Sequence, residues 1–331
     1  MVVPRGPGNL AADGFASTGS ELYCPFVAEQ NPWADDAQER SLAWALEHGL
    51  VTEGAPLDKL SSARFALLEA AAFPHASRES LSLVTNWVTL FCALDDYVED
   101  SELGVLGLSG YLSRLLTAFR ADGALVGDPF ERCFQDIGRE LRRRADASFV
   151  DGFVRELEHL FAAFVWEEVH RRNSAYPDYV AYRTLRIATV GLLPQFVLFQ
   201  ALGGHARLSE AEAPVVRDLE RLACLIVGWA NDIFTYEKEV AQGEGHNLIA
   251  VLMRTESLSL REAFRQASAL HDAEVCEFLR LQASLDLPHA SAPTRKRVEH
   301  LRHWLGGHLS WARNNGRYRP NDVGALNRAS A

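Results

Sequence analysis

From about residue 30 onward, apolar residues recur every three or four positions, the period of an α-helix with one buried face. No stretch alternates convincingly at the two-residue period of a strand, and no Asn-Gly hairpin signal lies between such stretches. Pro32 precedes a first helix through Ala43, Trp44 and Leu46, closed by Gly49. Helical patterns follow over roughly 57–72, 78–99, 107–121, 128–144 and 148–173. Pro177 stands where a first-turn proline belongs and opens a helix through Tyr182 and Arg186. Further helices are expected over roughly 208–241, 246–254, 259–283 and 292–314. The pattern predicts an all-α chain with short connections and no internal repeat. One helical domain is expected over 21–320, with a disordered N-terminal tail at 1–20 and a C-terminal tail at 321–331.

Two apolar helical runs end in acid. FCALDDYVED, residues 91–100, carries Asp95, Asp96 and Glu99; NDIFTYEKE, residues 231–239, carries Asn231, Thr235 and Glu239. A helix turns about 100° per residue, so Asp95 and Glu99 share a face, and Asn231, Thr235 and Glu239 form a two-turn polar stripe. Hard oxygen ligands of this kind suit Mg²⁺, which favours carboxylates, water and substrate phosphates. Two such stripes facing each other would hold a diphosphate through metals. Stepping back along the first helix from Asp95 gives Cys92, Phe91, Val88, Trp87 and Val84. The same steps from Asn231 give Gly228, Val227, Cys224 and Ala223, so bulky walls face small ones beneath the acids.

Composition narrows the partners. With 331 residues and 48% hydrophobic content, the chain has material for one large helical core. A net charge of −11 argues against nucleic acid, although metals can still make a local home for an anion. Cys24, Cys92, Cys133, Cys224 and Cys276 show no CxxC spacing and read as reduced core residues of a cytoplasmic protein. The first twenty residues lack the apolar stretch of a signal peptide. The run from Ile187 to Leu202 is interrupted by Gly191, Pro194 and Gln195, so no stable membrane insertion is expected. The arginine run Arg142–Arg144, with Glu140 and Asp146 alongside, reads as a solvated face.

DDYVED resembles the aspartate-rich motif of class I terpene synthases. NDIFTYEKE resembles their second metal motif, Asn-Asp-x-x-Ser/Thr-x-x-x-Glu, with Lys238 also in place. Glu99 stands where a third Asp is commoner, with Asp100 beside it, so Asp96, Glu99 and Asp100 all stay open as ligands. YRTLRIATVG is similar to the segment carrying the family's diphosphate-sensing arginine, matching at Tyr182, Arg186 and Thr189. GRYRP supplies Arg317 and Tyr318 where bacterial members carry an Arg-Tyr pair, and the resemblance extends from NPWADDAQ to HLSWARNNGRY.

The resemblance implies a single-domain helical bundle with a central apolar cavity. It implies Mg²⁺, three ions by analogy, held by Asp95, Asp96, Glu99, Asn231, Thr235 and Glu239. The substrate is an isoprenyl diphosphate, farnesyl first and geranylgeranyl second, cyclised to a terpene hydrocarbon or alcohol. Arg186, Lys238, Arg317 and Tyr318 are expected on the diphosphate. The family's helix breaks after the sensing arginine, which by count makes Thr189 the linker and Val190 the residue presenting its carbonyl. Gly191 is the easier occupant of an irregular backbone position. Cavity aromatics are expected among Trp87, Phe91, Phe196, Phe199, Trp304 and Trp311. A homodimer is possible. Rival readings are a chain-elongating prenyl diphosphate synthase, which uses two aspartate-rich motifs, and a non-catalytic isoprenoid-binding protein. A carboxylate-bridged di-iron bundle needs two Glu-x-x-His pairs; Glu167 and His170 supply one, but no second pair lies on a suitable later helix.

Overall fold

Thirteen helices run through the described residues (22–203, 208–241 and 245–314) of the protein's structure, a computed structural model. They are α1 Ala34–Glu47, α2 Ala55–Ala63, α3 Phe65–Ala72, α4 Arg78–Asp100, α5 Gly104–Arg120, α6 Pro129–Arg144 and α7 Ala147–Asn173. Then come α8 Tyr179–Thr189, α9 Leu192–Leu202, α10 Ala213–Ala241, α11 Leu248–Thr255, α12 Leu260–Ala283 and α13 Ala292–Asn314. The all-α expectation holds. The expected tails, with Arg317 and Tyr318, lie outside the described residues.

Local chemistry sets several helix starts. Ser77 opens α4 by accepting from the Ser80 amide at 3.2 Å. Asp128 with Glu131 at α6, and Ser259 with Glu262 at α12, form reciprocal capping boxes. Packing then arranges the helices. α10 packs against α8, α11, α12 and α13; α4 packs against α1, α3 and α6. The larger buried cluster includes Trp87, Phe134, Phe153 and Trp304; the smaller gathers Tyr182, Trp229, Leu248 and Phe264. Trp87 meets Phe153 edge-on at 5.0 Å between ring centres, so the wall below the α4 acids is part of the aromatic core.

The structure departs from the sequence reading at several points. The helix expected over 57–72 is two, because Arg64 takes a left-handed conformation (φ 47°). Nothing local requires that break. The Trp311 indole donates to the carbonyls of Ala63 (3.0 Å) and Arg64 (3.2 Å), satisfying groups that a continuous helix would have used itself. Arg142 is no solvated bystander: its guanidinium donates to the Phe119 and Ala121 carbonyls at the end of α5. None of the five cysteines is disulfide-bonded, but Cys276 is exposed, since it falls on the outer face of α12. Counted across its break, Tyr179–Leu202 is long and apolar enough to cross a membrane by length and composition only. The segment is divided at Val190–Gly191, and Tyr182, Leu192, Phe196 and Leu198 are buried within the protein.

Candidate active site

The ends of α4 and α10 meet at a cavity of about 110 Å³. Asp95 and Glu99 line it from α4; Asn231, Thr235, Lys238 and Glu239 line it from α10. Arg186, Thr189, Val190 and Gly191 border it from the end of α8. Asp96 is not part of the lining. Its carboxylate faces Lys59 at 3.1 Å and Lys238 at 3.6 Å. A residue one helical step from Asp95 turns toward the neighbouring helix rather than into the cavity. Asp100 is exposed and does not line the cavity either.

Deeper walls are apolar. Trp87, Val88 and Phe91 face inward from α4, and Trp304 and Trp311 from α13. Phe65, at the start of α3, also lines the cavity and lies tilted against Trp311 with ring centres 6.0 Å apart. It escaped the sequence reading because the Arg64 break that aims it is a tertiary effect. Phe196 and Phe199 do not line the cavity: Phe196 is core, and Phe199 lies flat on His300 with ring centres 3.8 Å apart. Gln195 touches the wall and donates to Glu69 at 2.9 Å. Burial pushes the Glu69 carboxyl far up despite that bond.

Arg186 is anchored from behind. Its Nη2 donates to Asn231 Oδ1 and to Asp232 Oδ1, each at 2.7 Å. Asp232, 1% exposed, also accepts at Oδ2 from the Tyr182 hydroxyl (2.7 Å) and the Leu248 amide (2.9 Å). Burial pushes Asp232 up, and the Arg186 charge pulls it back. Burial also opposes the charge on Arg186, but Asp232, Tyr182, Glu239 and Glu167 together hold it firmly protonated. Asp232 was not singled out from sequence; its signal was its place beside Asn231 in the motif. Asn247, wholly buried, caps α11 and donates to Glu239 Oε2 at 2.8 Å. Burial, with Asp232 adding, raises the Glu239 carboxyl to about 7.

The helix break lies one residue later than the count from Arg186 suggested. Val190 keeps ordinary helical angles (φ −64°, ψ −14°), whereas Gly191 is left-handed at φ 74°. A β-carbon at Gly191 would fall 2.3 Å from Phe91 Cζ, so conformation and space both demand glycine. Gly228 has the parallel role on α10, since a β-carbon there would meet Arg186 Cγ at 2.9 Å. The small α10 wall makes room for the arginine.

Comparison with known proteins gives this geometry its class. Residues 86–277, more than half of the chain, match the family described as terpene synthase family 2, C-terminal metal binding. The chain is 27% identical to the germacrene A synthase of Nostoc punctiforme, over 90% of this chain and 94% of that one. It is 28% identical to a (+)-T-muurolol synthase, described as cyclising (2E,6E)-farnesyl diphosphate, of Roseiflexus castenholzii, over 91% and 94%. In fold it is similar to the germacradien-4-ol synthase of Streptomyces citricolor, with a TM-score of 0.75 at 23% identity over 89% of this chain and 98% of that one. A solved α-eudesmol synthase gives a TM-score of 0.78 at 24% identity, over 88% and 98%. Fold and site together define a class I terpene synthase, a lyase acting on isoprenyl diphosphates. The chain belongs to terpene synthase family 2, and its reaction is terpene cyclisation within a metal-binding domain.

Proposed function

We propose that the chain is a Mg²⁺-dependent sesquiterpene cyclase that ionises farnesyl diphosphate and folds the resulting allylic cation into a cyclic product. One observation carries this reading: Asp95 and Glu99 on one helix and Asn231, Thr235 and Glu239 on another line a single cavity floored by aromatic rings. That donor set, all hard oxygen and open to further ligands, fits Mg²⁺ and a diphosphate better than a closed site for a softer ion. Three ions is the expected number, with Asp96 placed to steer Lys238 rather than to ligate. When bound, Mg²⁺ would neutralise charge on the leaving diphosphate.

The chain's own groups do the rest. Arg186 and Lys238 donate charge-assisted hydrogen bonds to the departing diphosphate, which carries more charge than the bound ester, so they favour the ionised state. Arg186 takes up that task by exchanging its bond with Asn231 for phosphate oxygens while Asp232 keeps it anchored. Arg317 and Tyr318 are proposed to cover the same anion, within a catalytic domain spanning 21–320. Thr189, Val190 and Gly191 bring the broken backbone to the cavity wall, where its dipoles face the cation. Trp87, Phe91, Trp304, Trp311 and Phe65 exclude water and offer ring faces, each worth up to about 2 kcal/mol to a desolvated cation. The cavity of about 110 Å³ is smaller than the ~300 Å³ at the low end of ligand sites, so a fifteen-carbon chain must displace some of these rings.

The test is incubation of the purified protein with geranyl, farnesyl and geranylgeranyl diphosphates, with and without Mg²⁺, followed by gas chromatography–mass spectrometry. A Mg²⁺-dependent cyclic fifteen-carbon product, lost in Asn231→Ala, is expected. Turnover of geranylgeranyl diphosphate alone would overturn the chain length proposed.

A further inference from the structure

Three ligand-type side chains from distant parts of the chain converge outside the lining of the active cavity. Glu29 precedes α1, His75 lies in the connection between α3 and α4, and His303 sits on α13. His75 Nε2 is 3.8 Å from Glu29 Oε2, and His303 Nε2 is 3.7 Å from Glu29 Oε1. All three ligand atoms fall within 4.8 Å of one another, and the two imidazole rings meet edge to face at 5.8 Å. These separations are too long for hydrogen bonds. Donors about 2.0–2.1 Å from a tetrahedral ion stand roughly 3.3–3.4 Å apart, so the three ligand atoms, which lie up to 4.8 Å apart, need to draw in by at most about 1.5 Å. Glu29 and His75 are more than half exposed and free to make that adjustment, while His303 is held in its helix.

Each imidazole can offer a ring-nitrogen lone pair to a metal, and Glu29 a carboxylate oxygen. Beside the cluster lies a cavity of about 350 Å³, lined by His75 and His303 with Ser77, Ser80 and Glu299. It leaves the fourth position open to water.

We propose that Glu29, His75 and His303 form a second cation site, distinct from the diphosphate site, that takes a divalent d-block ion of the Zn²⁺ type. Two imidazoles and one carboxylate suit Zn²⁺ or Co²⁺, whereas Mg²⁺ prefers all-oxygen surroundings. The ion ties the segment before α1 and the α3–α4 connection to α13, the helix whose Trp304 and Trp311 wall the active cavity. It therefore acts as a staple for that wall, without taking part in the chemistry.

The experiment uses the full chain, stripped by chelator and kept in excess Mg²⁺ without substrate. Co²⁺ is followed by visible ligand-field absorption, Zn²⁺ by calorimetry and by melting temperature. Saturable one-to-one binding with a tetrahedral Co²⁺ spectrum is expected, together with a Zn²⁺-dependent rise in melting temperature. Glu29→Gln and His75→Ala, both at exposed positions, each weaken binding at least about tenfold, and His303→Ala abolishes it. Asp95→Asn leaves it unchanged. Absence of saturable binding overturns the proposal, as does binding or a thermal shift that survives His75→Ala.

Discussion

Arg186 Nη2 lies 2.7 Å from Asp232 Oδ1, with the two side chains 13% and 1% exposed. The pair holds a guanidinium at the edge of the cavity. Breaking a buried pair by removing one partner costs about 3–5 kcal/mol, because the other charge is left desolvated. Asp232→Ala is therefore expected to lower unfolding free energy by that amount, read from urea denaturation. Asp232→Asn keeps the shape and loses the charge, so kcat should fall more than KM rises. Equal effects on the two would refute the anchoring role.

Gly191 is predicted to tolerate no side chain. Ala there combines a left-handed backbone with a β-carbon 2.3 Å from Phe91. Overpacking of this kind costs about 1–3 kcal/mol. Gly191→Ala should lower the melting temperature and change product distribution, and Phe91→Ala in the same chain should recover part of the stability. No recovery in the double variant would assign the cost to backbone conformation alone.

The raised Glu239 carboxyl makes a pH prediction. In the unfolded chain it ionises near 4.5, but in the folded, ligand-free protein only near 7. Its contribution to stability is thus present below about 4.5 and is lost as pH rises through about 7. A cation needs the carboxylate, so the Mg²⁺ concentration for half-maximal activity should drop as pH climbs through the same window. Mg²⁺ titrations of activity on either side of neutrality check this, and Glu239→Gln should flatten the dependence.

His308 behaves in the opposite sense. It is buried on α13, borders the cavity, and is pushed down to about 3 by burial, with the His271 and Arg186 charges adding. The unfolded chain takes up that proton near 6.5, so the stability contribution is full above 6.5 and drains as pH falls toward 3. Acid denaturation of His308→Leu should set in at lower pH than that of the unaltered chain. An unchanged acid midpoint would remove His308 from the explanation.

The two adjacent aspartates should part company. Asp95 lines the cavity, whereas Asp96 faces Lys59 and Lys238. Asp95→Asn is expected to raise the Mg²⁺ requirement sharply. Asp96→Asn should act instead through Lys238, raising KM for the diphosphate with a smaller change in the metal requirement. Reversal of that order in steady-state kinetics would exchange their roles.

What local chemistry writes into a helix was legible in the chain itself. The four-residue spacing of Asp95 with Glu99, and of Asn231, Thr235 and Glu239, already puts each set on one face, because every helix turns at the same angle. Helical period foretold most of the thirteen helices, and Gly191 with Pro194 marked the region of the break. Four decisions belonged to the tertiary structure. They are the break at Arg64, whose carbonyl is taken by Trp311 from 247 residues away, and the choice of Phe65 over Phe196 and Phe199 as cavity wall. They are also the burial of Asp232 behind Arg186, and the meeting of Glu29, His75 and His303. The physical reason is the same for each. A helix is specified by bonds four residues apart, whereas the rotation and contact of one helix against another depend on packing between segments with no sequence relation.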